Sequence, residues 1–369
     1  MPHMTAHSPN TPTTRYPGVI VDMHLDMAYN AVVLGRNLLQ PLSDLRTHEQ
    51  TAPPPSTMAG KALVSLPELL KGHIGIVGAS LFVAPAYKTW SQDPLVYHTP
   101  EQAHTQAVAQ LDYYRHLSDS HAQINILHTA AELEAALVSW DSPNPYIGLF
   151  LVMEGAEPIR EPGELEWWVE RGLRGIGLTW SSGTRYAGGC SVPGGLSDMG
   201  RDLLNRMADY NLMLDVSHMW PDAVYESLDL YPGPLVATHA NPRAFVDSAR
   251  SLSDDLIRRI AERNGVIGVI PYNPMLKQGW RVGEARLPLI RLIEAIDHIC
   301  QCAGHAQCVG IGSDSDGGFG LESIPEPLTS IADLGMIGAL LNERGYSPAD
   351  SEAILRTNWL RVLRQVLST

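Results

Sequence analysis

The sequence predicts a single α/β domain folded as a (β/α)8 TIM-like barrel. Its 369 residues suit one large barrel, and short apolar runs alternate along it with helical patterns. Most of these runs are continuous, which is typical of strands that a parallel sheet buries on both faces. The predicted strands cover residues 19–24, 74–83, 147–153, 175–179, 212–216, 235–238, 265–270 and 309–313.

Helices are predicted between these strands from apolar spacing and from start signals. Ser253, which Asp254 and Asp255 follow, is a typical helix start because carboxylates favour the positive end of the helix dipole. The predicted helices cover residues 100–118, 130–139, 197–209, 253–264 and 288–303, with two more near 332–342 and 348–367 that pack outside the barrel. The alternation of strands and helices favours a closed barrel over an open sheet.

The chain is predicted to divide into a flexible polar leader, residues 1–17, and the barrel domain, residues 18–369. The leader has no apolar core of the kind that signal peptides carry, and no apolar run approaches the roughly 20 residues of a membrane helix. We therefore expect a soluble, cytoplasmic protein. Residues 50–57 (QTAPPPST) are predicted to form a loop insertion, and residues 273–287 a long loop after the seventh strand that covers the active site.

Charge and cysteine content exclude some kinds of partner. The formal net charge of −14 argues against nucleic acid and against an anionic membrane surface. Cys300, Cys302 and Cys308 stand close together in HICQCAGHAQC, which also contains two histidines. Their spacing is not a standard zinc spacing, so buried structural thiols are favoured over a metal cluster, and no disulfide framework is predicted.

Histidines and carboxylates stand at or just after the ends of five predicted strands. In a barrel the carboxyl ends of all strands meet on one face, where such proteins keep their sites. Imidazole and carboxylate together suit zinc and related divalent metals, and two metals about 3.5–4 Å apart, bridged by one carboxylate, use this number of ligands. The residues are His24 and Asp26 after the first strand, Glu154 after the third, His218 after the fifth, His239 after the sixth, and Asp314 and Asp316 after the eighth.

Each of these patterns has a simpler explanation when it is taken alone. A single hydrogen bond explains most His-x-Asp pairs, and His218 alone is compatible with a core histidine. The segment from Asp314 to Asp316 is compatible with a tight turn, or with a calcium loop whose other acidic positions are missing. The occurrence of all of them at strand ends, in order, favours a metal site.

Several longer segments carry more specific information through their order and spacing: VDMHLD, SDLRTHEQ, VMEGAEPI, GLRGIGLTW, DVSHMW, ATHANPRAF, ARSLSDDLI and VGIGSDSDGG. Together, from about residue 19 to about residue 322, they resemble the membrane dipeptidase (renal dipeptidase) family of zinc peptidases. The resemblance implies a barrel of the metal-dependent hydrolase type, two Zn²⁺ per chain and a homodimer. It places His24 and Asp26 on the first zinc and His218 and His239 on the second, with Glu154 bridging both.

The same resemblance implies further roles. Arg250, in ARSLSDD, matches an arginine that binds the substrate carboxylate, a task that suits its planar fork of donors. Asp314 matches the acidic residue beside the scissile bond, and Tyr272, in PYNP, matches a pocket tyrosine. Arg185 and Tyr186 either line the pocket or order a glycine-rich loop.

Two positions depart from the family pattern. The fourth strand of the family typically ends in Leu-Thr-His, and that histidine contacts the substrate near the reacting carbonyl. Here the third residue is Trp180, which has one N–H donor and cannot take up a proton. Glu157 stands where a histidine is frequent. We expect the first departure to change the substrate pocket and to leave the metal ligands intact.

These observations predict a zinc dipeptidase that hydrolyses short peptides, including L-D dipeptides. The nucleophile is predicted to be a hydroxide that bridges the two metals, with Asp314 as the group that accepts the water proton and passes it to the leaving amine. Two alternatives stay open because of Trp180: a related metal-dependent hydrolase that acts on a lactam, lactone or acyl-amino acid, and a non-catalytic metal-binding barrel. A small peptide substrate is the expected partner.

Overall fold

Eight parallel strands form a barrel in the computed structural model, which describes residues 15–56, 59–86 and 95–368. Each strand pairs with the next, β1 also pairs with β8, and a parallel bridge between Ala237 and Ile267 joins β6 to β7. The predicted (β/α)8 barrel is therefore confirmed. The strands are β1 (Ile20–Leu25), β2 (Ile74–Phe82), β3 (Ile147–Glu154), β4 (Leu173–Gly177), β5 (Met213–Asp215), β6 (Leu235–Val236), β7 (Ile267–Val269) and β8 (Val309–Ile311).

Six strands end one or two residues earlier than the sequence predicts, and two of them, β6 and β8, end for the same reason. The backbone N–H of Thr238 donates to Asp215 Oδ1 (2.9 Å), and that of Ser313 donates to Asp22 Oδ1 (2.8 Å). These two buried carboxylates take up donors that would otherwise continue the pairing of β6 and β8. The chain is thereby freed to turn just before His239 and Asp314.

The helices follow the predicted positions with small shifts at their ends. Ser253 is the N-cap of a helix, as predicted, and its hydroxyl accepts a hydrogen bond from the N–H of Leu256. The predicted helices are observed at Pro100–Ser120, Ala130–Ser139, Asp198–Asp209, Asp254–Glu262, Ile290–Ala303 and Met336–Arg344, and the C-terminal one as Pro348–Glu352, a π-helical turn at Ala353–Thr357 and Asn358–Leu367.

Several shorter elements were not predicted. A strand at Ile124–Ile126 pairs with the start of β3, and two small two-stranded ladders join Ala84–Pro85 to Val96–Tyr97 and Ala187–Gly189 to Val192–Leu196. Further helices are Met27–Val32, Leu42–Thr51, Leu66–Lys71, Leu165–Glu170, Pro221–Leu230 and Asn273–Leu276, with 3-10 turns at Pro162–Glu164, Leu321–Ser323 and Ile331–Asp333.

The last helix packs against the strands of the barrel. Met23, Phe150 and Met213, which come from three of these strands, form one buried cluster with Trp359. The indole N–H of Trp359 donates to the carbonyl of Ile311 at the end of β8 (2.9 Å). Truncating a buried tryptophan of this kind costs about 3–5 kcal/mol. The last helix is thus part of the same hydrophobic core as the barrel strands.

Some sequence predictions fall on short or undescribed segments. Most of the leader, residues 1–14, lies outside the described residues. The predicted loop at 50–57 begins inside the helix Leu42–Thr51 and ends beyond the described part, and the predicted loop at 273–287 begins with the helix Asn273–Leu276. In the described residues, no helix is both long and apolar enough to span a membrane. The cytoplasmic location and the homodimer stay predictions.

Candidate metal centre

Five of the predicted ligands converge at the carboxyl ends of the barrel strands. All are buried, and we call them the floor of the cavity: His24, Asp26, Glu154, His218 and His239. His24 and Glu154 lie within β1 and β3, and the others follow strand ends by one to three residues. Parallel strands deliver these side chains to one place because they all end on the same face of the barrel.

Glu154 lies at the centre of the floor, and its two oxygens face different imidazoles. Oε2 is 3.3 Å from Nε2 of His24, whereas Oε1 is 3.0 Å from Nε2 of His218 and 3.5 Å from Nε2 of His239. The Nε2 atoms of His218 and His239 are only 2.8 Å apart. The carboxylate therefore separates one imidazole from a close pair of imidazoles.

The remaining nitrogen of each imidazole is held by a hydroxyl group. Thr238 Oγ1 donates to Asp215 and lies 3.2 Å from Nδ1 of His24 and 2.8 Å from Nδ1 of His239. Because this hydroxyl donates its hydrogen to Asp215, it can accept an N–H from both rings. Each ring then carries its hydrogen on Nδ1, and the lone pair of its Nε2 atom faces Glu154. Ser181 Oγ lies 3.0 Å from Nδ1 of His218 in the same manner.

A second group of carboxylates lies on the His24 side of the floor. Nε2 of His24 is 3.9 Å from Asp26 Oδ1, and ligand atoms of His24, Asp26 and Asp314 all lie within 4.8 Å of one another. The hydroxyl of Ser80 donates to Asp26. Asp314 has a φ of +53°, a left-handed conformation that costs energy outside glycine, and its backbone N–H donates to the carbonyl of His24 (3.1 Å).

The floor has the electrostatics of a cation site. Burial alone would lower the pKa of His24, but the carboxylates of Glu154, Asp26 and Asp314 raise it to about 10. Burial and the charge of Glu154 raise the pKa of Asp26 to about 6. Burial also raises the pKa of Asp314 well above its usual range. Several carboxylates in one buried place favour the binding of positive charge. Protons supply this charge in the metal-free protein, and a metal ion supplies it when it is bound.

These residues fit a divalent metal of the zinc type. Nε2 of His24 is fully buried and has no hydrogen-bond partner among the described residues, as expected of a nitrogen that is positioned to bind a metal. The donors are imidazole nitrogens and carboxylate oxygens, and a hydroxyl group lies beside the Nδ1 atom of each imidazole. His24, Asp26 and Glu154 Oε2 would hold one ion, and His218, His239 and Glu154 Oε1 another.

An aromatic surface, which we call the wall, rises from one side of the floor. It consists of Tyr29, Phe82 and Trp180, whose neighbouring rings lie 5.1 and 5.4 Å apart by their centroids. Trp180 also stacks on His218, with 6.0 Å between centroids and 29° between planes. The departure at residue 180 therefore lies directly beside a floor imidazole, at the mouth of the site.

The other predicted pocket residues line the same cavity, whose volume is about 250 Å³. Tyr272 stacks on Phe319 with 4.2 Å between centroids. Arg250 donates from Nη1 to the carbonyl of Ser217 (2.7 Å) and from Nη2 to that of His239 (2.8 Å). Two of its five N–H groups are thus used to fix the loops that carry His218 and His239, and the other three have no hydrogen-bond partner among the described residues.

Three residues that the sequence left open turn out to order loops. Arg185 pairs with Glu157 (Nε to Oε1, 2.7 Å), and the hydroxyl of Tyr186 donates to the carbonyl of Ile159. Asp316 accepts from the backbone N–H groups of Leu63 and Val64, which places it in loop support. None of these side chains lines the cavity.

Other residues of the site were missed by the sequence analysis. Thr238, Asp215 and Ser181 support the imidazoles, and Phe82 and Tyr29 form the wall. A signal existed for the first, since Thr238 stands directly before His239 at a strand end. The wall carries no such signal, because its three residues come from three separate segments.

A (β/α)8 barrel that collects imidazoles and carboxylates at the carboxyl ends of its strands defines a barrel-type metal-dependent hydrolase. The family model described as membrane dipeptidase (peptidase family M19) matches residues 17–369, and the chain belongs to this family. It is therefore a peptide-bond hydrolase of a metallopeptidase family, and it takes a metal cofactor and a small peptide substrate.

The chain is also similar to individual proteins. An uncharacterized protein in the pqqA 5' region of Klebsiella pneumoniae is 31% identical over 65% of this chain and 92% of its own length. Dipeptidase tcpJ of Claviceps purpurea is 24% identical over 85% of this chain and 71% of its own. A metallo peptidase from Rhodobacter sphaeroides, solved with a phosphinate mimic of the dipeptide L-Ala-D-Ala, has the same fold (TM-score 0.78, 23% identity, 95% of this chain and 99% of that one).

Proposed function

We propose that the protein is a binuclear zinc dipeptidase, with both metals on the floor and Glu154 as their bridge. The observation that carries the proposal is the placement of His24 against one oxygen of Glu154 and of the His218–His239 pair against the other. A carboxylate whose two oxygens face different imidazoles is suited to bind two metals at once. When bound, the metals supply a water of lowered pKa as nucleophile and polarise the scissile carbonyl.

Arg250 binds the substrate carboxylate in this proposal. Its guanidinium lines the cavity, its position is fixed by the carbonyls of Ser217 and His239, and in the described part of the chain its other three N–H groups bind no residue. Carboxylate recognition by such an anchored fork is directional as well as electrostatic. Because the anchoring carbonyls belong to the segments that bear His218 and His239, the arginine sets the distance between the substrate carboxylate and the floor.

Asp314 moves the proton. Its carboxyl group lies within reach of Asp26 and His24 and lines the cavity. From there it accepts a proton from the attacking water at a carboxylate oxygen and delivers it to the leaving nitrogen. Gly317 makes this position available, since a Cβ at that residue would stand 1.8 Å from Asp314 Oδ1.

The size of the cavity supports a short substrate. Pockets for drug-sized ligands have volumes of roughly 300–1,000 Å³. The cavity of about 250 Å³ therefore suits two residues, including an L-D dipeptide, rather than a longer chain. The wall adds a preference for an apolar side chain, because Trp180 and Phe82 offer it ring surface.

A second candidate function rests on Trp180. If the wall excludes the usual peptide geometry, the same floor would hydrolyse a lactam, a lactone or an acyl-amino acid. The two candidates differ in whether the substrate carries a free amino group next to the scissile bond.

A substrate panel on the zinc-loaded protein tests the proposal. It contains L-L and L-D dipeptides, the same dipeptides with an amidated C-terminus, N-acyl-amino acids and lactones. We expect turnover of free dipeptides and a loss of about 100-fold or more in kcat/KM on amidation, because Arg250 loses its carboxylate partner. In the Arg250→Met variant, the difference in kcat/KM between free and amidated dipeptides should be smaller. Turnover confined to lactones or acyl-amino acids would select the second candidate.

A further inference from the structure

A second group of metal-binding side chains lies outside the cavity, between two neighbouring helices. Nε2 of His298 is 2.8 Å from Asp254 Oδ1, and ligand atoms of Asp254, His298 and Cys302 all lie within 4.8 Å of one another. None of the three lines the cavity around the floor. They are an imidazole, a carboxylate and a thiol, which are the three kinds of donor that zinc uses in proteins.

The two helices hold these donors in place. His298 and Cys302 are four residues apart on the helix Ile290–Ala303, so their side chains lie on the same face, one turn apart. Asp254 is the first residue of the helix Asp254–Glu262, and the two helices pack against each other. Phe245 meets the His298 ring edge-on, with 6.2 Å between centroids and 86° between planes, which restricts how the imidazole can turn.

We propose that Asp254, His298 and Cys302 form a separate binding site for a thiophilic divalent cation of the zinc class. The three side chains supply one ligand atom each, and water completes a tetrahedral set because the group is partly exposed to solvent. A cation here links the start of one helix to the last turns of the other. Thiolate ligation also distinguishes this site from the floor, whose five ligands include no sulfur.

The three groups also interact with one another electrostatically. A hydrogen bond from His298 lowers the pKa of Asp254. Burial and the charge of Asp254 raise the pKa of the Cys302 thiol. Binding of the cation therefore requires the thiol proton to leave to solvent, after which the cation replaces it beside the carboxylate.

The sequence analysis singled out this region through its cysteines and histidines but did not group these three residues. The C-x-C-x5-C spacing of Cys300, Cys302 and Cys308 predicted buried structural thiols, whereas only Cys308 is fully buried. Cys300 lies by Tyr346, away from the cluster. The donor that completes the group, Asp254, is 44 residues from His298 in sequence, so no local spacing indicates it.

Cadmium titration of the zinc-loaded full-length protein tests the proposal. Cd²⁺ bound to a thiolate gives a ligand-to-metal charge-transfer band in the ultraviolet, so sulfur ligation is read directly. We expect such a band in the wild-type protein, its loss in Cys302→Ser, and an affinity at least about tenfold weaker in His298→Ala. Added Zn²⁺ should also raise the Tm of the wild-type protein and leave that of Cys302→Ser unchanged.

Two cysteine variants serve as matched controls. Cys300→Ser changes a thiol on the same helix, and Cys190→Ser changes the thiol nearest the floor, which lies by Ser181. Both should keep the band, and Cys302→Ser should keep dipeptidase activity, which shows that it folds. The proposal is overturned if the wild-type protein gives no band, if the band persists in Cys302→Ser, or if it disappears in Cys190→Ser.

Discussion

The floor and the wall of the cavity are adjacent, yet they are built in different ways. The floor side chains come from the ends of strands, each imidazole has a hydroxyl on its second nitrogen, and Asp215 fixes the hydroxyl that serves two of them. The wall consists of rings that touch one another and one floor imidazole. The floor is thus a polar network with little freedom, whereas the wall is a packing surface.

This difference separates chemistry from selectivity. Changing a member of a connected buried network leaves other polar groups unsatisfied, so its effects are large. Changing a ring on a packing surface alters contacts with the substrate and leaves the metal site intact. Substitutions in the floor should therefore abolish metal binding or chemistry, and substitutions in the wall should redistribute activity among substrates.

The largest effect is expected for Glu154→Gln. An amide cannot replace a carboxylate that serves both halves of the floor, so we expect loss of bound metal and a fall in kcat/KM of more than about a thousandfold. Elemental analysis and dipeptide assays on one sample measure both quantities. Glu157→Gln is the matched control, because Glu157 pairs with Arg185 outside the cavity and should keep its metal. Full metal content in Glu154→Gln would remove Glu154 from the bridge.

The next largest effect is expected for Asp314→Asn, which removes the proton acceptor while keeping shape. We expect kcat to fall by about 100- to 10,000-fold with unchanged metal content and Tm. Asp316→Asn, two residues away, should instead lower the stability and leave kcat nearly unchanged. It weakens the acceptor of two backbone N–H groups and should lower the free energy of unfolding by about 1–3 kcal/mol, with kcat per folded molecule nearly unchanged. Equal effects on kcat would contradict this division.

A smaller effect is expected for Thr238→Val, which keeps shape but deletes the hydroxyl beside His24 and His239. We expect the affinity for zinc to fall by about 10- to 100-fold, as measured by competition with a chelator. Thr179→Val is a close control, because Thr179 is also a buried threonine after a strand and its hydroxyl has no partner among the described residues. If both variants bind zinc equally, the hydroxyl of Thr238 does not support the floor.

The smallest effect is expected for Trp180→His, in the wall. We expect kcat/KM for dipeptides with large apolar side chains to fall by about tenfold relative to Ala-Ala, with zinc content unchanged. Trp167→His changes a tryptophan that packs under Arg171 away from the cavity and should leave the ratio alone. A loss of zinc in Trp180→His would mean that floor and wall are not separable.

The floor could be predicted from the sequence because strand ends in a barrel are few and all point to one face. The positions of His24, Glu154 and His239 could be predicted from the apolar runs that precede them. The support of the floor was not predictable in the same way. Asp22 and Asp215 look like ordinary polar residues within strands, and their role depends on backbone groups of neighbouring strands that are far away in sequence.

The wall and the second cation site escaped prediction for a related reason. Tyr29 follows β1, Phe82 ends β2 and Trp180 follows β4, so their contact depends on where three loops turn. The sequence identified Trp180 as a departure but could not show that it stacks on His218. The pairing of Asp254 with His298 likewise depends on the packing of two helices.

The most direct test of the central claim is a zinc titration of the metal-free protein with activity measured at each step. If two metals share Glu154, activity on a dipeptide should remain low up to one equivalent, rise with the second and reach its maximum near two tightly bound zinc ions per chain. The thiol site should then fill more weakly and without further gain. Full activity at one equivalent, with no second tight ion, would contradict the binuclear account.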